Sequence, residues 1–182
     1  MFPIALDLTK INIKLVGKGE ALQRRHKQLL EYGATNISSL RGDEVDEAIQ
    51  HLDATGLLRF TRNDEKIVMV CGLSHEVSEK IADAARAAGK LVNVEDMNDL
   101  CDFYFTANVK RGDLVIAVST GGASPTLSRR IRDYIAQKFG AEWENRVVEI
   151  ADFRRKLKDD GKNMPEVLAE SEKFLTVKGW LK

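Results

Sequence analysis

The chain has 182 residues, 43% hydrophobic and 31% charged, and its 28 Lys plus Arg are balanced by 28 Asp plus Glu. That neutrality argues against a nucleic-acid binder driven by bulk positive charge and against an acidic disordered tail, while the length suffices to bury a core without disulfides. Cys71 and Cys101 form no Cys-x-x-Cys pair, the N-terminus MFPIALDLTK lacks a signal-peptide pattern, and no apolar run approaches the ~20 residues of a membrane span, so a soluble cytoplasmic protein is expected.

In chain order, Ile11 to Val16 reads as a strand ending in Gly17, and Glu20 to Tyr32 as a helix stopped at Gly33. Thr35 to Leu40 is a short β-prone run. Asp43 to Leu52 reads as a helix with Val45, Ala48 and Leu52 on one stripe. Ile67 to Cys71 is continuously apolar, the pattern of a parallel strand covered on both faces. Val77, Ile81, Ala84, Ala85 and Ala88 follow helical spacing between Ser74, an N-cap residue, and Gly89, a stop. With Leu91 to Glu95 as the next strand, the alternation predicts an α/β fold with a parallel sheet. Tyr104 to Val109 and Leu114 to Ser119 then predict an antiparallel hairpin around the turn sequence Lys110-Arg111-Gly112-Asp113. Ser124 and Pro125 open a helix with the apolar face Leu127, Ile131, Tyr134, Ile135 and Phe139. From Ala141 onward the pattern is amphipathic helix, broken near Gly161 and Pro165.

Charge is uneven along this order. Residues 1–108 carry 13 basic and 17 acidic side chains, and residues 109–182 carry 15 and 11. The excess lies in 109–132, where Lys110, Arg111, Arg129, Arg130 and Arg132 face Asp113 alone. Such a stretch suits a ligand with several carboxylates or phosphates, although a solvated basic face has the same composition.

Three constellations carry chemistry. Val16-Gly17-Lys18-Gly19-Glu20-Ala21-Leu22 places Gly-x-Gly between the first strand and the first helix, which lets backbone approach a pyrophosphate at the helix N-terminus. An ordinary strand–helix turn has the same form. Leu22 stands where a third Gly or Ala is usual. No acid follows the second strand to hold an adenosine ribose. Arg41 and Gly42 stand there, which leaves open a ribose 2′-phosphate, and so NADP beside NAD. The second constellation, Asn93-Val94-Glu95-Asp96, ends the fourth parallel strand, where ligands of such sheets bind and a carboxylate can act as general base. Glu95, Asp99 and Asp102 compete with Asp96 for that role, and an Asp after a strand is also a common turn residue. The third, Ser119-Thr120-Gly121-Gly122-Ala123-Ser124-Pro125, combines hydroxyls, a glycine turn and a helix start, the parts of an anion site or of a structural turn. His26, His51 and His75 lack metal-ligand spacing.

The segments VGKGEALQRRHKQLLEYGA, LVNVEDMNDLCDFYFTANV and DLVIAVSTGGASPTLSRRIRDYI, in that order, resemble the precorrin-2 dehydrogenase/sirohydrochlorin ferrochelatase family, the N-terminal module of sirohaem synthases. The resemblance implies an NAD-binding Rossmann domain over 1–108, a dimerisation and tetrapyrrole-binding region over 109–140, and a helical region over 141–182. It implies oxidation of precorrin-2 to sirohydrochlorin with NAD, insertion of Fe²⁺ in bifunctional members, and a homodimer. Asp96 matches the family's catalytic aspartate, which is also the metal-insertion residue where chelation occurs. Gly17, Gly19, Glu20 and Ala21 match the dinucleotide turn, where Lys18 is a candidate phosphate contact, and Arg41 and Gly42 match the loop near the adenosine. Asn93, Ser119, Thr120, Gly121, Gly122 and Ser124 match the tetrapyrrole side.

The cofactor side departs from the family pattern. Lys18 interrupts a run that is usually three glycines, Cys71-Gly72-Leu73-Ser74 replaces an Ala-Thr-Asp/Asn-type segment, and Ser78 stands for a usual Asn. Thr106 stands for a usual Pro after the aromatic run. These departures carry two further expectations: a protein that binds dinucleotide or tetrapyrrole without catalysis, and a ferrochelatase without dehydrogenase activity.

Overall fold

A computed structural model describes residues 2–55 and 64–181, the side chains of 52–55 apart, so Leu52 on the second helix lies outside the described side chains. The chain divides into two compact units, Met1–Phe105 and Thr106–Lys182.

The first unit is a parallel four-stranded sheet with flanking helices. Its elements are β1 (Ile13–Gly17), α1 (Gly19–Glu31), β2 (Ile37–Arg41), α2 (Asp43–Thr55), β3 (Ile67–Cys71), α3 (His75–Ala87) and β4 (Leu91–Val94), with strand order β2-β1-β3-β4. β1 pairs with β2 and β3 in parallel, so the ends Gly17, Arg41 and Cys71 stand side by side. The period-two alternation of strands sorts the core into two layers. Ile13, Leu15, Ile67, Met69 and Cys71 pack with Leu22 and Leu29 of α1. Val16, Val68, Val70, Val92 and Val94 pack with Val45 of α2 and with Ile81, Ala82 and Ala85 of α3. β3 is apolar throughout because both of its faces are covered, and each large side chain buried there contributes roughly 1.5–3 kcal/mol. The Ser74 hydroxyl caps α3, which ends before the left-handed Gly89.

The second unit contains β5 (Ala107–Arg111) and β6 (Leu114–Val118), an antiparallel pair, followed by α4 (Pro125–Lys138), α5 (Glu142–Asp159) and α6 (Met164–Lys178). The turn is only Gly112-Asp113, so Lys110 and Arg111 belong to the strand rather than to the four-residue turn the sequence suggests. A Cβ on Gly112 would sit 2.8 Å from Cγ of Glu144, so the tight turn presses on α5. Asn163 and Glu166 form a reciprocal capping box on α6. Phe139, Trp143, Phe153, Phe174 and Trp180 make a chain of aromatic contacts, and the Arg146 guanidinium lies over Trp143 at 4.9 Å.

Candidate active site

The sheet's C-terminal edge is built around two interlocked turns. A Cβ on Gly17 would overlap the Cys71 carbonyl oxygen, and a Cβ on Gly72 would lie 2.5 Å from the Lys18 oxygen. The Lys18 N–H donates to the Cys71 carbonyl at 3.2 Å. Backbone contact at both points requires residues without a Cβ, and Gly72 also has φ +67°. The neighbouring Gly19 faces open space, with nothing within 4 Å of an added Cβ.

Beside these turns lies a cavity of about 340 Å³. Its walls are the Gly17-Lys18-Gly19 turn, then Leu22, Gln23 and His26 of α1, then Arg41 and Gly42 at the end of β2. The N-cap Lys18 makes no side-chain cap at the start of α1, so its first-turn N–H groups and the open face of Gly19 fit a pyrophosphate. Glu20 and Ala21 sit in the first turn of α1 but do not line the cavity. Lys18 Nζ pairs with Asp46 of α2 at 2.7 Å. Arg41 Nε donates to the Ser39 hydroxyl at 2.9 Å, and the Arg41 N–H donates to Glu44 at 3.1 Å. Sequence reasoning found the glycine turn and Arg41 but not Gln23 and His26. Their signal was their spacing: Gly19, Leu22, Gln23 and His26 share one helical face.

The four carboxylates after β4 are separated by their partners. Glu95 receives Arg24 at 3.1 Å and Arg25 at 3.7 Å. Asp99 pairs with His75 Nε2 at 2.8 Å. That contact raises the His75 pKa and lowers that of Asp99, in both cases chiefly through the shared hydrogen bond. Asp102 pairs with Arg86 at 2.9 Å and accepts the Val92 N–H at 2.8 Å. Asp96 is exposed, and among the described residues no cation forms an ion pair with it. Its φ of 61° is the only positive value at a described non-glycine residue.

The loop bearing Asp96 is braced on several sides. Arg86 also donates to the Leu100 carbonyl at 2.8 Å, and the Cys101 thiol accepts the Val94 N–H at 3.2 Å. Asn93 is buried, and its amide donates to the Phe103 carbonyl at 2.9 Å, so this side chain shapes the loop from inside. Burial, reinforced by the Glu95 charge, pushes the Cys71 thiol up to about 11, which removes it as a nucleophile near neutral pH.

In the second unit the Thr120 hydroxyl is the knot of the 119–125 turn. It donates to the Ser124 carbonyl at 3.1 Å, accepts the Ser124 N–H at 3.1 Å and lies 3.1 Å from the Ser128 hydroxyl. Ser124 caps α4, and Ser119 accepts the Gly121 N–H. Gly121 and Gly122 have φ of 64° and 88°, which makes this sharp reversal open to glycine. The turn therefore satisfies many of its own donors before any ligand arrives. The expected basic stretch is likewise partly committed. Arg111 donates to the Phe139 and Ala136 carbonyls at the end of α4, and Arg132 pairs with Asp133 at 2.6 Å, while Lys110, Arg129 and Arg130 are exposed.

Residues 4–107 match the family described as putative NAD(P)-binding, and residues 111–138 match the one described as sirohaem biosynthesis protein central. The chain is 33% identical over 164 residues to a siroheme synthase of Methylococcus capsulatus, covering 86% of this chain and 34% of that protein. A siroheme synthase of Tolumonas auensis is 29% identical over 199 residues, with 98% and 42% covered. The chain thus spans roughly a third of the length of the first of these relatives, at 34%. The structure described as SirC, precorrin-2 dehydrogenase, shares the fold at TM-score 0.68 and 20% identity, with 100% of this chain and 93% of that chain covered. The parallel sheet, its glycine turn and the matched domain define a Rossmann-type NAD(P)-binding protein. No helix of the described residues is long and apolar enough to cross a membrane. The chain belongs to the family of the precorrin-2 dehydrogenase/sirohydrochlorin ferrochelatase module of sirohaem synthases.

Proposed function

We propose that the chain oxidises precorrin-2 to sirohydrochlorin with a nicotinamide dinucleotide, as a cytoplasmic homodimer, with Asp96 as the base. The observation that carries this reading is the sorting of the strand-end carboxylates: Glu95, Asp99 and Asp102 are held in ion pairs, and Asp96 is exposed beyond β4. One C–H bond of the substrate breaks and its hydrogen leaves with the electron pair, while a second hydrogen leaves as a proton. The dinucleotide supplies the hydride acceptor. Asp96 takes the proton, and its braced loop holds the carboxylate outside the ion pairs of the described residues, with the Arg24 charge acting on it through space. The Gly17-Lys18-Gly19 turn, with Glu20 and Ala21 behind it and Arg41 and Gly42 beside it, holds the cofactor. Ser119, Thr120, Gly121, Gly122 and Ser124 shape the surface offered to the tetrapyrrole carboxylates, and Arg129 and Arg130 supply charge nearby in sequence.

The test is the absorbance of sirohydrochlorin when purified chain is mixed with precorrin-2 and NAD⁺ or NADP⁺. Turnover is expected, and Asp96→Ala should reduce it by about 10²-fold or more at unchanged circular dichroism. Binding of both ligands without turnover by the folded wild-type chain sinks this reading in favour of a binding protein. Fe²⁺ is a substrate in the second activity assigned to Asp96, and adding it to the same assay without dinucleotide isolates chelation from oxidation.

A further inference from the structure

We infer that the cavity at the ends of β1 and β2 selects a 2′-phosphorylated nicotinamide dinucleotide over the unphosphorylated one. This rests on the dinucleotide reading of the site and narrows it to one ligand class. In parallel nucleotide-binding sheets the discrimination falls at the end of the second strand. A carboxylate there accepts the ribose hydroxyls, whereas a guanidinium there meets a 2′-phosphate. β2 ends on Arg41, and Arg41 lines the cavity. Its Nε is fixed on Ser39, and among the described residues its two terminal amino groups make no bond, so they can present a fork to a phosphate.

A second cation comes from the glycine turn. Lys18 lines the same cavity from the β1 side, and His26 adds an imidazole from α1. Among the described residues no carboxylate lines it to accept the ribose hydroxyls as a charged partner, and its other polar side chains are Gln23 and His26. Of the three acids in the first turn of α2, Glu44 accepts the Arg41 N–H, Asp46 pairs with Lys18, and Asp43 stands outside the cavity lining. The Lys18–Asp46 pair is 41% and 54% exposed, so it is weak in water, and a dianionic phosphate competes well for the ammonium. Lys18 and Arg41 thus reach one cavity from two elements of the sheet edge, with the anionic partner of Lys18 easily displaced.

Calorimetry on the full chain with NADP⁺, NAD⁺, 2′-AMP and 5′-AMP tests this directly. NADP⁺ should bind at least about tenfold more tightly than NAD⁺, and 2′-AMP more tightly than 5′-AMP. Arg41→Ala and Lys18→Gly should each bring the NADP⁺/NAD⁺ ratio to within about threefold, Arg41→Lys should keep part of it, and Asp46→Asn should raise NADP⁺ affinity by releasing Lys18. Thermal melts identify any variant that fails to fold, and the fragment pair on wild-type chain tests the inference without variants. Equal or tighter binding of NAD⁺ overturns the preference and leaves the dehydrogenase reading standing. Binding of neither dinucleotide overturns the cofactor site and the preference together.

Discussion

Asp96 carries a conformational cost that its neighbours do not. A left-handed backbone at a residue with a side chain is unfavourable by ~1–2 kcal/mol, somewhat less for Asp, and here it falls on the proposed base. Asp96→Gly should therefore raise the unfolding free energy by about 0.5–1 kcal/mol in denaturant titration while abolishing sirohydrochlorin formation. A destabilised variant would show that the side chain contributes contacts which offset the strain. The resemblance pointed to Asp96, but neither its backbone strain nor the sorting of its neighbours was legible beforehand. Sequence spacing left Glu95, Asp96, Asp99 and Asp102 equivalent, because the partners that separate them lie up to 71 residues away, as Arg24 does from Glu95. Arg41 was legible because strand-end position alone assigns it, whereas the tie between Lys18 and Asp46 spans 28 residues and required the fold.

At the level of elements, the first unit follows its local signals closely. The apolar run Ile67–Cys71 became β3 with the same ends, and Ser74, Ser124 and Pro125 sit at the helix starts where their chemistry puts them. The hairpin was harder, because Lys-Arg-Gly-Asp reads as a polar turn and only the ladder shows that Lys110 and Arg111 are paired strand residues. Arg111 then turns to the last carbonyls of α4, where a cation offsets the helix dipole. Arg111→Ala should lower the unfolding free energy by about 1–2 kcal/mol by denaturant titration. Arg129→Ala, on an exposed side chain, should change it by less than about 0.5 kcal/mol. Equal effects of the two would mean that the Arg111 contact is not structural.

For the whole molecule, the neutral total conceals a division that coincides with the two units. Residues 106–108 are uncharged, so the first unit holds 13 basic and 17 acidic side chains and the second 15 and 11. The second unit also leaves much apolar surface open: Val115 is 50% exposed, Leu127 50% and Tyr134 62%. A two-stranded sheet with such a surface is marginal alone, which supports pairing of two copies through this unit. Light scattering should give twice the chain mass of 20.4 kDa, and Ile131→Glu should shift it toward the monomer. A wild-type monomer at high concentration would remove the homodimer from the proposed function.

The interlocked glycines at the ends of β1 and β3 bear on how this site can change over time. Gly17 and Gly72 hold the turn through main-chain contacts, so the course of the backbone past residue 18 does not depend on what side chain that residue carries. Tolerance and selectivity are thereby uncoupled: the frame resists substitution, while the side chain at 18 and the exposed one at 41 are free to vary. On the proposed roles of residues 18 and 41, a lineage with this architecture would exchange one redox currency for another in one or two mutational steps while the main-chain frame stays in place.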